Sequence, residues 1–185
     1  MTLSNKLTIF RMVLAPVFFV GLIHSKFLVA LILFVLAMLT DFLDGKIARL
    51  NNQVTDFGKF LDPIADKILT TFAYLYLLKA DLFSIVPVSL IFSREFIVSA
   101  IRLIACQKGA VIAANLLGKI KTFFQTVSIF LAIIYLYLTQ NLNMRFSFLN
   151  VSIWIINFLV WVSALFSVIS GLSYVKEYYN TDKIK

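Results

Sequence analysis

Charge is scarce in this chain of 185 residues, with Asp, Glu, Lys and Arg together making up 14% of it and acids numbering only nine. Such a composition cannot dress the surface of a soluble domain, and 61% hydrophobic residues exceed what the interior of one domain of this length can take up. Cysteine is nearly absent: Cys106 stands alone, which excludes an intrachain disulfide and a zinc site built from cysteines, and leaves a small buried hydrophobe as its reading. The single histidine, His24, has no acidic or second histidine neighbour and reads as a loop residue. Three prolines and six glycines leave no Pro- or Gly-rich linker, and no internal repeat or low-complexity tract divides the chain, so one domain over 1–185 is expected.

What is abundant is apolar sequence with a basic balance. Six apolar runs lie at roughly 8–24, 27–48, 60–79, 83–105, 120–139 and 149–174, and a helix crossing a membrane needs about 20 such residues. Period-2 alternation is missing, and backbone groups in lipid are best satisfied within a helix. The expected fold is therefore all-α and integral to the membrane, a bundle of six transmembrane helices. Lys6 and Arg11 before the first run resemble a signal peptide, but the later runs favour a retained first helix. The net charge of +8 points to anionic lipid rather than nucleic acid. With six spans both termini share a side. That side collects Lys6, Arg11, Lys46, Arg49, Lys59, Lys67, Arg102, Lys108, Lys119, Lys121, Lys176, Lys183 and Lys185, against Lys26, Lys79 and Arg145 opposite. The rule that basic loops stay inside makes the first side cytoplasmic, in a multi-pass protein of the cell membrane. Trp154 and Trp161 fall within the sixth run and are assigned to packing.

The stretch from Asp41 to Asp66 carries the chemistry. Phe27 to Thr40 is apolar for 14 residues, which as helix covers only about 21 Å of a hydrocarbon core about 30 Å thick. The helix must continue past Asp41, which places Asp41 and Asp44 just inside the boundary. Asp41, Asp44, Gly45 and Ala48 share one helical face. After a polar turn at 51–56, in which Asp56 reads as a solvated loop residue, a third helix is expected to begin near Gly58 or Lys59. Gly58, Asp62 and Asp66 share one of its faces. Antiparallel neighbours joined by so short a loop bring the four carboxylates to similar depth. Four such charges partly removed from water repel one another, and protonation or a bound cation relieves them. Carboxylate oxygens suit hard divalent ions such as Mg²⁺, Mn²⁺ or Ca²⁺, and a pair of ions can hold phosphate oxygens during phosphoryl transfer. Gly45, Ala48 and Gly58 leave room for a bulky ligand, and Arg49 suits a phosphate.

These residues spell D-x2-D-G-x2-A-R-x8-G-x3-D-x3-D, with every specified position filled. The segment resembles the signature of the CDP-alcohol phosphotransferases. The resemblance implies six helices, a homodimer, a site facing the cytoplasm with two divalent cations, Mg²⁺ or Mn²⁺, and a CDP-linked lipid as donor with CMP leaving. It implies that Asp41, Asp44, Asp62 and Asp66 are the metal ligands, that Asp66 is also the base for the acceptor hydroxyl, and that Gly45, Ala48, Arg49 and Gly58 surround the CDP group.

Outside the signature, Asn5-Lys6-Leu7-Thr8 with Arg11 and Pro16, Ser93-Arg94-Glu95, Ala100-Ile101-Arg102, Gly109 through Ala114, and Gly118-Lys119-Ile120-Lys121-Thr122 resemble the branch of the family that joins CDP-diacylglycerol to glycerol 3-phosphate. Ser4 stands where that branch commonly has proline. Arg94, costly at membrane depth, must face protein, water or a partner. Its neighbour Glu95 points about 100° away, so a direct pair is not assured. Arg94 and Arg102 share a face, and with Lys119 and Lys121 they form a candidate site for the acceptor phosphate; for the two lysines, positive-inside topology is an equal reading. Inositol phosphate, serine or phosphatidylglycerol are alternative acceptors. A transporter with a carboxylate ion path is a different class, which predicts acids spread across the membrane rather than gathered at one depth.

Overall fold

A computed structural model describes residues 3–50, 56–107, 116–142 and 147–183; for 3–6, 42–50, 56–64, 66, 106–107, 147–150, 177–178 and 180–183 it describes the backbone alone. Six α-helices are found among the described residues: α1 (Leu3–Ile23), α2 (Phe27–Leu50), α3 (Asp56–Lys79), α4 (Ile85–Gln107), α5 (Leu116–Leu136) and α6 (Ser147–Lys183). A π-helical turn, Tyr137–Asn141, closes α5. There the Leu142 amide donates to the Tyr137 carbonyl at 3.3 Å, and the Thr139 hydroxyl donates to the Tyr135 carbonyl at 2.8 Å.

All six apolar runs are helices; α1, α3 and α5 begin before their runs, and α6 continues well past the end of its own. The third begins at Asp56 rather than near Gly58, so the reading of Asp56 as a loop residue is corrected. A carboxylate is favoured in a first helical turn, where unpaired amides carry partial positive charge. Residues 51–55 lie outside the described part.

The chain divides into two compact units. The first comprises 1–80 and 130–149, and within it α1 packs against both α2 and α3. Its buried residues recur at helical spacing: Thr8, Arg11, Leu14, Ala15, Phe18 and Leu22 on α1, and Phe27, Ala30, Phe34 and Ala37 on α2. Ala15, Ala30, Ala37 and Ala73 are fully buried, which lets helix backbones approach closely. Rings fill the remaining space: Phe19 stacks on Phe72 at 4.8 Å, and Phe18 meets Phe34 at 5.8 Å. α1 ends in a Schellman motif, with the Lys26 amide donating to the Gly21 carbonyl and the Ser25 amide to Leu22; Ser25 takes the left-handed position with φ 56°.

The second unit comprises 81–129 and 150–185. The Asn157 amide donates to the Leu82 carbonyl at 3.0 Å, Arg94 pairs with Ser170 and Arg102 with Tyr174. Partner numbers rise together, so α4 and α6 run in the same direction. α6 turns Ile156, Val160, Ser163, Ala164, Ser167, Ser170 and Tyr174 inward.

Opposite these faces the helices are apolar too. Val13, Val17 and Val20 on α1, Leu28, Ile32 and Leu39 on α2, and Phe158, Leu165 and Leu172 on α6 are exposed. The stretches Leu116–Asn141 and Val151–Lys176 are long and apolar enough to cross a membrane, and α1 and α2 contribute shorter apolar stretches, Leu7–Ile23 and Phe27–Asp41. Trp154 and Trp161, assigned above to packing, are exposed instead. A run that is apolar all round does not reveal which side meets its neighbours.

Asp81, just after α3, is exposed and has φ 55°, a conformation costing a branched residue about 1–2 kcal/mol. Asp81→Val is expected to lower the thermal midpoint in detergent by roughly 2–6 °C, whereas Asp81→Gly holds or raises it. Equal midpoints for the two variants would remove the left-handed assignment.

Candidate active site

The signature occupies the last part of α2 and the first part of α3. Asp41, Asp44, Gly45, Ala48 and Arg49 are helical in α2, and Gly58, Asp62 and Asp66 are helical in α3. The helical spacing expected for the four aspartates is therefore present. The side chains of Asp44, Ala48, Arg49, Asp62 and Asp66 lie outside the described residues, and so does their convergence. Among the described residues no group of three or more His, Cys, Asp or Glu could hold a metal; of the four proposed ligands that search includes only Asp41.

Asp41 is tied to α1. The Arg11 guanidinium, 1% exposed, donates through Nη1 to Asp41 Oδ1 at 2.6 Å, while the Asp41 side chain remains 40% exposed. One carboxylate oxygen is thus fixed from the buried side, and the carboxylate as a whole still reaches the surface. Sequence reading places Arg11 among the cytoplasmic basic residues and among those that carry the family resemblance, but gives it no partner. Its one signal was an arginine on an otherwise apolar helical face, which must be partnered; nothing in the sequence names a partner 30 positions away.

The second unit holds a basic group. Arg94 on α4 donates from Nη2 to Ser170 Oγ at 2.7 Å, and its guanidinium lies 5.5 Å from the centre of the Tyr174 ring. Arg102 donates from Nη2 to Tyr174 Oη at 2.6 Å and lies 4.9 Å from the same ring centre. Two glycines clear the path of Arg94. A Cβ at Gly171 would sit 2.9 Å from Arg94 Cγ, and one at Gly118 would sit 3.5 Å from Arg94 Nη2. Among the described residues, neither guanidinium has a carboxylate at ion-pair distance.

Glu95 serves a different cation. It is buried, as is Lys121, and Lys121 Nζ lies 2.5 Å from Glu95 Oε1. The hydroxyl of Ser163 donates to the Lys121 carbonyl at 3.2 Å, adding a third helix to the contact. The expectation grouped Lys121 with Lys119 as phosphate-binding. The structure separates them: Lys119 is exposed and Lys121 is buried with its charge already matched. Two positions apart on α5, they point about 200° from each other around the helix, and the apolar run does not say which of them faces inward.

Residues 1–169 match the family model described as CDP-alcohol phosphatidyltransferase. The chain belongs to this family. Similar members include proteins named CDP-diacylglycerol–glycerol-3-phosphate 3-phosphatidyltransferase from Bacillus subtilis (strain 168), 37% identical with 93% of this chain and 92% of the relative covered, and from Rickettsia felis, 36% identical with 94% and 93% covered. One from Salmonella typhimurium is 37% identical over 66% of this chain and 71% of its own. For a CDP-alcohol phosphatidyltransferase the donor set fits divalent cations: every proposed ligand is a carboxylate, and Asp41 presents one that is held in place yet accessible.

Removing one partner of a buried pair strands the other charge, at a cost of about 3–5 kcal/mol. Lys121→Met is therefore expected to lower the unfolding midpoint sharply, and Glu95→Leu combined with Lys121→Met to regain most of the loss. A double-mutant cycle in detergent measures this; strictly additive effects would show that the two do not interact.

Proposed function

We propose that the chain transfers the phosphatidyl group of CDP-diacylglycerol to glycerol 3-phosphate, giving phosphatidylglycerophosphate and CMP, as one catalytic domain within 1–185. The observation that carries this is 37% identity to a relative of that name across 93% of this chain, together with a complete aspartate signature. The exposed apolar faces of α1, α2 and α6 support residence in the cell membrane. There the lipid tails of the donor stay in the bilayer, and the soluble acceptor arrives from the cytoplasm, the side favoured by the basic residues. A homodimer is part of the same reading.

In this mechanism Asp41, Asp44, Asp62 and Asp66 are the ligands for two divalent cations, Mg²⁺ or Mn²⁺. When bound, such cations offset the charge of the donor's pyrophosphate and of the departing CMP. Arg11 holds Asp41 in its rotamer from the buried side. Gly45, Ala48 and Gly58 leave space beside the backbone for the cytidine group, and Arg49 binds a donor phosphate. Arg94 and Arg102 bind the phosphate of glycerol 3-phosphate, with Lys119 adding positive charge at the surface. Lys121, matched by Glu95, holds α4 and α5 together rather than touching the acceptor. Asp66 takes the proton from an acceptor hydroxyl. The freed oxygen bonds to the phosphorus that carries diacylglycerol, the bond from that phosphorus to the CMP oxygen breaks, and CMP departs with the electron pair. Orientation and charge neutralisation supply most of the acceleration in such transfers.

Arg94→Ala and Arg102→Ala are each expected to raise the KM for glycerol 3-phosphate by roughly ten- to a hundredfold, the weight of one charged hydrogen bond, with far less change in the KM for CDP-diacylglycerol. Asp66→Asn is expected to collapse kcat even at saturating acceptor. Steady-state kinetics of folded variants read both. An unchanged acceptor KM would make the two arginines structural, and a near-normal kcat for Asp66→Asn would remove it as the base.

A further inference from the structure

Tyr174 lies beyond residues 1–169, the part matched by the family model, and no resemblance assigns it a role. It is 2% exposed on α6. Both arginines of the basic group converge on it: the Arg102 guanidinium at 4.9 Å, with a 2.6 Å hydrogen bond to its hydroxyl, and the Arg94 guanidinium at 5.5 Å. Eight residues separate the two arginines along α4, a rise of about 12 Å, so two side chains of like charge lean toward one ring. Repulsion opposes that arrangement. What sustains it is the negative face of the ring, which attracts a cation within about 6 Å, and the hydroxyl oxygen, which accepts a hydrogen bond from Arg102. Ser170 and the missing side chain of Gly171, one turn earlier on α6, hold the stem of Arg94 in the same way. No carboxylate among the described residues lies at ion-pair distance from either cation. Two preset guanidiniums with no acid in direct contact suit a doubly charged phosphate monoester, because a guanidinium can donate two parallel hydrogen bonds to two of its oxygens.

We infer that Tyr174 is the positioning residue for the acceptor: its ring and hydroxyl fix Arg94 and Arg102 at the separation that a phosphate monoester requires, so that affinity for glycerol 3-phosphate is preset by α6. This rests on the acceptor assignment above. Tyr174 does not touch the reacting atoms; it acts through the two arginines and so governs acceptor binding rather than turnover.

The test is a kinetic cycle with Tyr174→Phe, Arg102→Ala and the double variant, each checked for a cooperative thermal transition. Initial rates of CMP release are read against glycerol 3-phosphate and, separately, CDP-diacylglycerol. Tyr174→Phe keeps the ring and loses the acceptor oxygen. It is expected to raise the KM for glycerol 3-phosphate about three- to tenfold, leaving kcat and the donor KM within about twofold, and to add nothing once Arg102 is gone. Tyr174→Trp, which also lacks the phenolic oxygen, carries the same expectation if the Phe variant does not fold. An unchanged acceptor KM in Tyr174→Phe alongside a raised one in Arg102→Ala would overturn the role of Tyr174 alone. A fall in kcat with acceptor KM unchanged, or fully multiplicative effects, would overturn it too. If Arg102→Ala also leaves the acceptor KM unchanged, the assignment of the arginines fails, and the inference with it.

Discussion

A guanidinium or ammonium set among apolar helices must receive its partners from the protein, because neither hydrocarbon nor a packed helical interior supplies them. Much of the described structure follows from that constraint. In the first unit it ties α1 to α2 through Arg11 and Asp41. In the second it ties α4 to α5 through Glu95 and Lys121, and α4 to α6 through Arg94 with Ser170 and Arg102 with Tyr174. Dispersion and ring packing hold the helices together, but they are tolerant of small shifts in register. The charged contacts are directional and short, and they select one register among those that packing allows.

The charged groups fall into two kinds. Lys121 and Glu95 neutralise each other and are buried, which stabilises one arrangement of helices and leaves no charge for a ligand. Arg94 and Arg102 are held by a hydroxyl, a phenol and an aromatic face, which orient them without cancelling their charge. This difference separates a cation whose charge is matched within the protein from cations whose charge is not, and it is the ground for proposing Arg94 and Arg102 as the acceptor-phosphate site. Asp41 stands between these cases: one oxygen is engaged by Arg11, and the side chain still reaches the surface. A carboxylate so restrained loses little further freedom on binding a cation.

Helix existence was legible in the sequence because six long apolar runs leave few alternatives. Helix ends were less so. α6 continues past its apolar run to Lys183, and α3 starts at Asp56, because a helix once formed extends through polar residues at small cost. The aspartate signature was legible as local spacing along α2 and α3. The pairs Arg11–Asp41, Glu95–Lys121 and Arg102–Tyr174 were not, because each depends on the relative rotation of two helices far apart in sequence. Trp154 and Trp161 illustrate the same limit: apolar residues lie all round α6, so their periodicity alone does not distinguish the face that meets protein from the face that does not. The serines of α6 did carry a signal, since Ser163, Ser167 and Ser170 recur at helical spacing and all face inward.

The identity of the acceptor decides the function. Purified chain with CDP-diacylglycerol and Mg²⁺ can be offered glycerol 3-phosphate, inositol phosphate, serine or phosphatidylglycerol, with CMP release followed and the lipid product identified by mass. The expected result is release with glycerol 3-phosphate, phosphatidylglycerophosphate as the product, and background rates with the other three. Release driven by serine, inositol phosphate or phosphatidylglycerol, with glycerol 3-phosphate inert, would contradict it.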